Sequence, residues 1–529
     1  MTSFTSSAYD KSIWWLTTLK QAREYLEACL EGHTRCRSHN KPATRLPTRV
    51  IDVGSIDGSK DPFLYVSNER RSVVAEAEIG RESGNQAQET SVPQHIRISP
   101  RLEVDATFKY TTLSYCWGEA QNFILKIENL ESLKERLPWN ELPLTIQDAI
   151  TLTRGLGIRY IWIDALCIIQ DSREDWEAES VKMAEIYGGS FLTIAAALGP
   201  NVHYGLMKRG LGQEWNSTVN RAEKIVKEMF PLQRDPLYSR AWALQERMLS
   251  PRVLIFGSED TYCECYDLRR GSKVISYRLP DNPSPWDWHV IIQDYTCRNL
   301  TNEQHKLPAI VGLAAIYSQA TGKDYICGLW KQTLIVDLLW RQQRLLAGNS
   351  AILDPPKEYR APSWSWASLN GNCMLRYRLG KNKDFKPRTE ILATFKDSDS
   401  PQEKPVEGDE WILLHGPLLR AKIEGGKLKF LHASAGEKGT CNPWMDLRDL
   451  EDLEGKPSTM EGKETWNATV SRDDTWCLLL GSLGAEGYGL VLVEAVDFGE
   501  GNYRRVGTFI AYGWEDSFDS CGESDLFLI

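Results

Sequence analysis

The chain has 529 residues, 42% of them hydrophobic and 25% charged. That is enough apolar material to offset chain entropy, and it excludes disorder for most of the length. The formal net charge of -10, from 62 Lys+Arg against 72 Asp+Glu, argues against a nucleic-acid partner, which needs a basic footprint on the protein.

At about 100–200 residues per domain, the length corresponds to roughly three or four folding units. No stretch reaches the ~18–20 apolar residues of a membrane span. The opening MTSFTSSAYDKS has no basic segment followed by an apolar one, so it does not read as a secretory signal. The twelve cysteines are scattered and read as reduced thiols. The expectation is a cytoplasmic protein.

In chain order, residues 11–31 predict a helix, because Trp15, Leu19, Ala22, Leu26, Cys29 and Leu30 recur at helical spacing. Cys29, His33, Cys36 and His39 overlap its end. Leu46–Val53 suits a strand, and Glu82–Thr90 reads as a loop. From Tyr110 the pattern sharpens. YTTLSY is β-prone and ends at Cys116-Trp117-Gly118; LPLTIQDAITLTRGLG predicts a helix capped by Thr145 and Asp148; Tyr160–Ile163 is a short buried strand ending at Asp164. Next come a helix over 173–187, boxed by Ser172 and Asp175 and stopped by Gly188-Gly189, and a strand at 190–197. Strands alternating with helices at this spacing predict βαβ units and a parallel sheet. RAWALQERMLS is a further helix, RVLIF a strand, and 286–345 mostly helical. Beyond about residue 405, WILLHGPLL, KLKFLHA, TWCLLLGSL, YGLVLVEAV and YRRVGTFIAYGW are β-prone runs, with the linker running from GKNKDFKPRTE to SDSPQEKPVEGDE.

YTTLSYCWG, then LPLTIQDAITLTRGLGIRYIWIDALCIIQDSREDWEAESVKMAEIYGGSFLTIAA, then RAWALQERMLSPRVLIF together resemble the fungal heterokaryon incompatibility (HET) domain. The resemblance spans roughly Tyr110 to Phe256. YTCRNLTNEQHKLPAIVGLA and YRAPSWSWASLNG resemble segments C-terminal to that domain in family members. The resemblance implies filamentous fungi, self/non-self recognition and a cell-death response. It also implies a distant relation to TIR domains, some of which cleave NAD at the nicotinamide glycosidic bond and place an essential Glu on the helix after a central strand.

The expected fold is therefore a multi-domain α+β protein. An N-terminal helix and extension (1–105) precede an α/β HET-like core with a TIR- or flavodoxin-like parallel sheet (106–256). A mostly helical extension (257–395) leads into a β-rich C-terminal module (396–529). The expected function is an effector of fungal incompatibility or immune-like cell death that cleaves NAD in a TIR-like site. The alternatives are a non-catalytic signalling and self-assembly module and a metabolic enzyme recruited from the same fold. The expected partners are further copies of the chain or a fungal incompatibility protein, with no nucleic acid and no membrane span.

Several residues carry these expectations. At about 100° per residue, Trp176, Ser180, Met183, Ile186 and Tyr187 form one largely apolar arc with Glu179 inside it, whereas Glu177 and Glu185 point away. A carboxylate on a buried face is costly without a partner, so Glu179 is either a catalytic acid or a structural one paired with an Arg. Asp164 ends a strand, at the edge where ligands gather in open α/β sheets. If the first strand is parallel, Tyr115, Trp117 and Gly118 reach the same edge and make a stacking and hydroxyl-binding set with Asp164; the alternative is a core Trp and a turn cap. Arg240, Trp242, Gln245, Glu246 and Arg247 line the RAWALQER helix, with the two arginines on one face, neutralising either Glu179, a ligand phosphate or a structural network. Cys167 reads as a buried hydrophobe, with His203 and His289 the imidazoles that could approach it in space. Cys29, His33, Cys36 and His39 offer four zinc ligands, against two buried thiols and two solvent imidazoles. GxxxxGK[ST], a post-strand GxGxxG and GxSxG are all missing from the sequence.

Overall fold

The structure is a computed structural model that describes residues 6–39, 45–55, 57–67, 108–119, 123–206, 235–258, 261–267, 283–342, 356–397, 409–424, 427–431, 440–445, 475–519 and 521–529. The loop expected at 82–90 and the end of the expected linker, 398–408, lie outside them. Two compact units divide the chain, Met1–Arg278 and Leu279–Ile529.

The first unit is built on a seven-stranded sheet in the order β2-β1-β4-β3-β5-β6-β7. The strands are β1 (Arg49–Asp52), β2 (Phe63–Val66), β3 (Tyr110–Ser114), β4 (Tyr160–Trp162), β5 (Leu192–Ala195), β6 (Arg252–Phe256) and β7 (Thr261–Cys265). The four inner strands are parallel: Thr111 registers with Ile161 on one side and Leu192 on the other, and Ile194 registers with Leu254. β1 and β2 at one margin and β7 at the other run antiparallel to their neighbours. Every residue of β3, β4, β5 and β6 is buried, as a parallel strand covered on both faces requires. The threonines of this core satisfy one another: Thr111 bonds Thr153 at 2.8 Å, Thr112 bonds Thr193 at 2.6 Å, and Thr193 bonds Ser250 at 2.5 Å. The β-branched shape is kept and no hydroxyl of this set is left dry. The parallel sheet predicted from the βαβ spacing is present.

The helix caps differ in part from the sequence expectation. Ser172 caps Arg173–Ser180 by accepting the Asp175 N–H. Thr145 and Asp148 instead leave their own helix, Leu144–Gly155, without a side-chain cap. Thr145 Oγ1 accepts from Gly205 N and Asp148 from Leu206 N, each at 3.0 Å, so these side chains pin a distant loop. Gly157, at φ +74°, turns the chain out of the helix. The helix expected over 173–187 is two helices, Arg173–Ser180 and Met183–Gly188, parted at an exposed Val181 and at Lys182, which reaches back to Glu179. Asp175 meets Arg49 of β1. The guanidinium donates to its two carboxylate oxygens at 2.7 and 2.5 Å and to the Cys167 carbonyl at 2.7 Å.

The second unit opens with the helices Pro285–Thr296 and Pro308–Thr321 and two short ribbons, β8 (Tyr325–Ile326) with β9 (Leu329–Trp330) and β10 (Arg341–Gln342) with β11 (Cys373–Met374). Lys386–Pro387 (β12) and Glu390–Thr394 (β13), expected as linker, pair into the C-terminal sheet, because backbone pairing offsets their polar composition. β14 (Ile412–Glu424), β15 (Lys427–Phe430), β16 (Thr440–Met445), β19 (Asn502–Tyr512), β18 (Glu486–Glu494) and β17 (Thr475–Leu483) pair in a ring that closes from β17 back to β14. β20 (Glu523–Leu528) joins β14 and β19. The alternating Leu419, Ala421 and Ile423, with Cys477, Leu479, Phe509 and Phe518, fill one core. Closing the ring removes strand edges. The β-rich C-terminal module is present.

The buried Arg49–Asp175 pair yields a test. Asp175→Asn leaves a guanidinium enclosed without its counter-charge, and the expected loss is about 3 kcal/mol, read as a lower urea midpoint for the first unit. A midpoint that moves by less than the equivalent of ~1 kcal/mol contradicts this view of the pair.

Candidate functional site

In the parallel set β4-β3-β5-β6 the chain passes from β3 outward to β4 and then crosses to β5 on the other side. The carboxyl ends of β3 and β5, where Ser114 registers with Ala195, therefore flank a switch point, the place where such sheets bind ligands. A charged cluster stands there.

Glu246, on the helix Trp242–Leu249, is 2% exposed and accepts the hydroxyl of Ser114 at the end of β3. Burial pushes its carboxyl up to about 7, against the pull of Arg240 and of the Ser114 hydrogen bond, with Asp164 adding to the rise. Arg240 donates to the Tyr115 carbonyl. Burial works against its charge, but Glu246 and Asp164 more than offset that, so its pKa is raised and it stays a cation. Asp164 is partly exposed. Loss of water pushes its carboxyl above the usual range, countered by Arg240, by the Ala165 N–H at 2.7 Å, by the Trp117 indole N–H at 2.9 Å and by the Tyr115 hydroxyl. Two carboxyl groups thus face one guanidinium, with Trp117, Trp242 and Arg240 also partly exposed and Tyr115 and Gln245 buried.

The sheet's edge explains why these side chains meet. Tyr115, Cys116, Trp117 and Gly118 come directly after β3, and Asp164 comes after β4 and Ile163. Gly118 has φ +78°, and a Cβ there would stand 2.4 Å from the Asn201 Cβ. Only glycine lets the 199–206 loop close on this turn, where Val202 N donates to the Trp117 carbonyl at 3.3 Å.

The other residues named from sequence fall elsewhere. Glu179 is 2% exposed; its Oε1 pairs with Lys182 Nζ at 2.8 Å, and Lys182 also bonds Thr48 at 3.1 Å. Oε2 is buried without a hydrogen-bond partner. The cation beside Glu179 is thus Lys182, three residues on, and not Arg240 or Arg247. Asp164 and Glu179 both act on Cys167, whose thiol burial pushes up to about 12, which makes it an inert thiol. Of the two imidazoles, His203 is exposed, and His289 bonds Asp337 at 2.6 Å within the second unit. The two arginines do not share a helix face, because the helix starts at Trp242 and Arg240 is extended. Arg247 grips Glu264 of β7 through two N–H groups and lies over the Tyr238 ring at 4.6 Å. Cys29, His33 and Cys36 come together with Cys265, and the His39 side chain lies outside the described residues. Sequence reading names Glu246 as a binding residue and does not name its partner Ser114, whose one signal is its position at the end of the first parallel strand.

The first unit thus places a carboxylate–arginine cluster at the switch point of a parallel sheet, the edge at which open α/β sheets commonly hold ligands. Residues 110–246, from the first residue of β3 to Glu246, match the family described as heterokaryon incompatibility protein (HET). Comparison with curated proteins and with solved structures returns no match.

The raised pKa of Glu246 sets a pH dependence. Its folded pKa of about 7 lies above the ordinary 4.5, so the folded chain binds this proton more tightly than the unfolded one. The associated stability is complete below about pH 4.5 and is lost as pH rises to about 7; Asp164 shifts in the same direction. At ~1.4 kcal/mol per unit the Glu246 share is roughly 3 kcal/mol. In melting curves across that window, Glu246→Gln should lose most of the wild-type fall in stability. Parallel curves for the two proteins contradict the assignment.

Proposed function

We propose that this chain is an effector of fungal incompatibility that drives a cell-death response, and that its HET domain acts through Asp164, Arg240 and Glu246 on a nucleotide-like substrate, NAD being the one the chemistry suits. One observation carries the reading: a partly exposed carboxyl, a cation and a carboxyl titrating near neutrality converge at the switch point. On this reading Trp117 and Trp242 offer aromatic faces to a base, Arg240 meets phosphate, and Asp164 binds ribose hydroxyls. The bond from ribose C1′ to the nicotinamide nitrogen breaks, and its electron pair leaves with nicotinamide. A carboxylate stabilises the positive charge that develops on the ribose. Water then adds at C1′ and passes its proton to a carboxylate, for which a pKa near 7 is well placed. Glu179 joins as a second acid only through its buried Oε2.

The Glu179–Lys182 pair favours a second reading, in which the domain is a non-catalytic signalling module, these residues build the fold, and self-assembly transmits the signal.

Nicotinamide release by the purified full chain, soluble and assembled, separates the two. The enzyme reading expects turnover in the wild type and a loss of ~10²-fold or more in Asp164→Asn, with unchanged melting. Glu179→Gln should lower melting if the Lys182 pair is structural, and should abolish turnover without lowering melting if Glu179 is catalytic. No nicotinamide from well-folded wild type, together with cell killing that persists in Asp164→Asn and Glu246→Gln, overturns the enzyme reading.

A further inference from the structure

Three sulfurs and one imidazole nitrogen converge in the first unit, away from the charged cluster. Cys29 lies near the end of the long helix Ser6–Gly32, His33 sits in the turn after it, Cys36 lies on the helix Thr34–His39, and Cys265 is the last residue of β7. Their ligand atoms all lie within 4.8 Å of one another. His33 Nδ1 is 3.9 Å from Cys36 Sγ and 3.3 Å from Cys265 Sγ. A tetrahedral zinc with Zn–S of about 2.3 Å and Zn–N of about 2.0–2.1 Å has ligand–ligand edges of about 3.5–3.8 Å, so the spacing fits a four-ligand set with small adjustments.

Cysteine as a small hydrophobe does not account for the arrangement. Cys29, Cys36 and Cys265 are 0%, 1% and 0% exposed and form a core cluster of their own, edged by Tyr25 and Tyr266. Three small thiols and an imidazole bury little apolar area for a contact that joins segments over 200 residues apart in sequence. None of the three is in a disulfide. One cation stands beside the sulfurs: Arg252 Nε donates to Cys29 Sγ at 3.2 Å. Around the cluster, Tyr25 bonds the Glu264 carbonyl at 2.8 Å, and Arg35 bonds Asp267 at 3.0 Å and the Tyr266 carbonyl at 3.3 Å. Such outer contacts fix the ligands in place.

We propose that Cys29, His33, Cys36 and Cys265 bind one structural zinc ion, with Cys265 in the place that the local spacing alone gives to His39. The ion would staple the N-terminal helices to the margin of the HET sheet. Glu264, next to Cys265, holds Arg247, the residue after Glu246 on its helix, so the staple also braces the strand that supports the charged cluster. Thiolate coordination in a dry site converts mutually repelling sulfurs into ligands and contributes folding free energy directly.

The test uses the full chain, purified under reducing conditions without a histidine tag. Elemental analysis should give one zinc per chain, retained in His39→Ala and lost in Cys36→Ser and Cys265→Ser. Cobalt(II) reconstitution of the wild type guards against variants that fail to fold: it should show thiolate-to-cobalt charge transfer with tetrahedral ligand-field bands, and His33→Cys should shift those bands. Zinc that stays substoichiometric after incubation with zinc sulfate and dialysis overturns the proposal. So do zinc retained by Cys265→Ser, zinc lost in a folded His39→Ala, a cobalt spectrum without charge transfer, and a disulfide among the three cysteines in protein from reducing cytosol.

Discussion

A carboxylate enclosed at the end of a parallel sheet is tolerable only with a cation beside it, and the first unit is organised around that constraint. Glu246 is buried against Ser114, and Arg240 is the positive charge that both Glu246 and Asp164 face. Placing Arg240 there requires the chain to leave β5, return in extended form at Arg240 and begin a helix only at Trp242. It also requires β3 to end in the Tyr115–Gly118 turn, whose carbonyl at Tyr115 receives the guanidinium. One cation faces two carboxyl groups, and burial, with Asp164 adding to it, holds Glu246 near neutrality against the pull of Arg240.

Three other buried charges of the first unit each have a partner of opposite sign. Arg49 has both oxygens of Asp175, Arg247 has Glu264, and Glu179 has Lys182 on one side. Each of these pairs ties one element to another: β1 to the Arg173–Ser180 helix, the Trp242–Leu249 helix to β7, and the broken turn at Lys182 to the start of β1 through Thr48. Buried pairs of this kind contribute more to register than to net stability. The cluster at the switch point has its charges out of balance, the arrangement that recurs where chemistry or binding is done.

Much of the parallel-sheet core of the first unit is legible in sequence. The periodicity of LPLTIQDAITLTRGLG and the apolar runs at Tyr160 and Leu192 point to the parallel sheet, and Ser172 is a true cap, because those signals are local. The features that are not legible depend on distant partners. Thr145 and Asp148 look like a capping box but bond the 202–206 loop, and nothing in their own segment announces that loop. The 173–187 pattern is helical throughout; only the reach of Lys182 back to Glu179 and on to Thr48 marks the break. Helical spacing puts Glu246 and Arg240 in one helix, whereas their meeting depends on Arg240 lying outside it. Cys265 is invisible in sequence as a partner of Cys29 and Cys36 for the same reason: strand β7 brings it there from the far margin of the sheet.

On the proposed reading, the Asp164–Arg240–Glu246 cluster takes up NAD and changes its protonation as it does so. Titration calorimetry of the full chain with NAD near pH 7, repeated in buffers of different ionisation enthalpy, measures this directly. The expected result is binding accompanied by proton exchange in the wild type, and binding by Glu246→Gln with that exchange removed. Absence of binding, or the same proton exchange in Glu246→Gln as in the wild type, would contradict it.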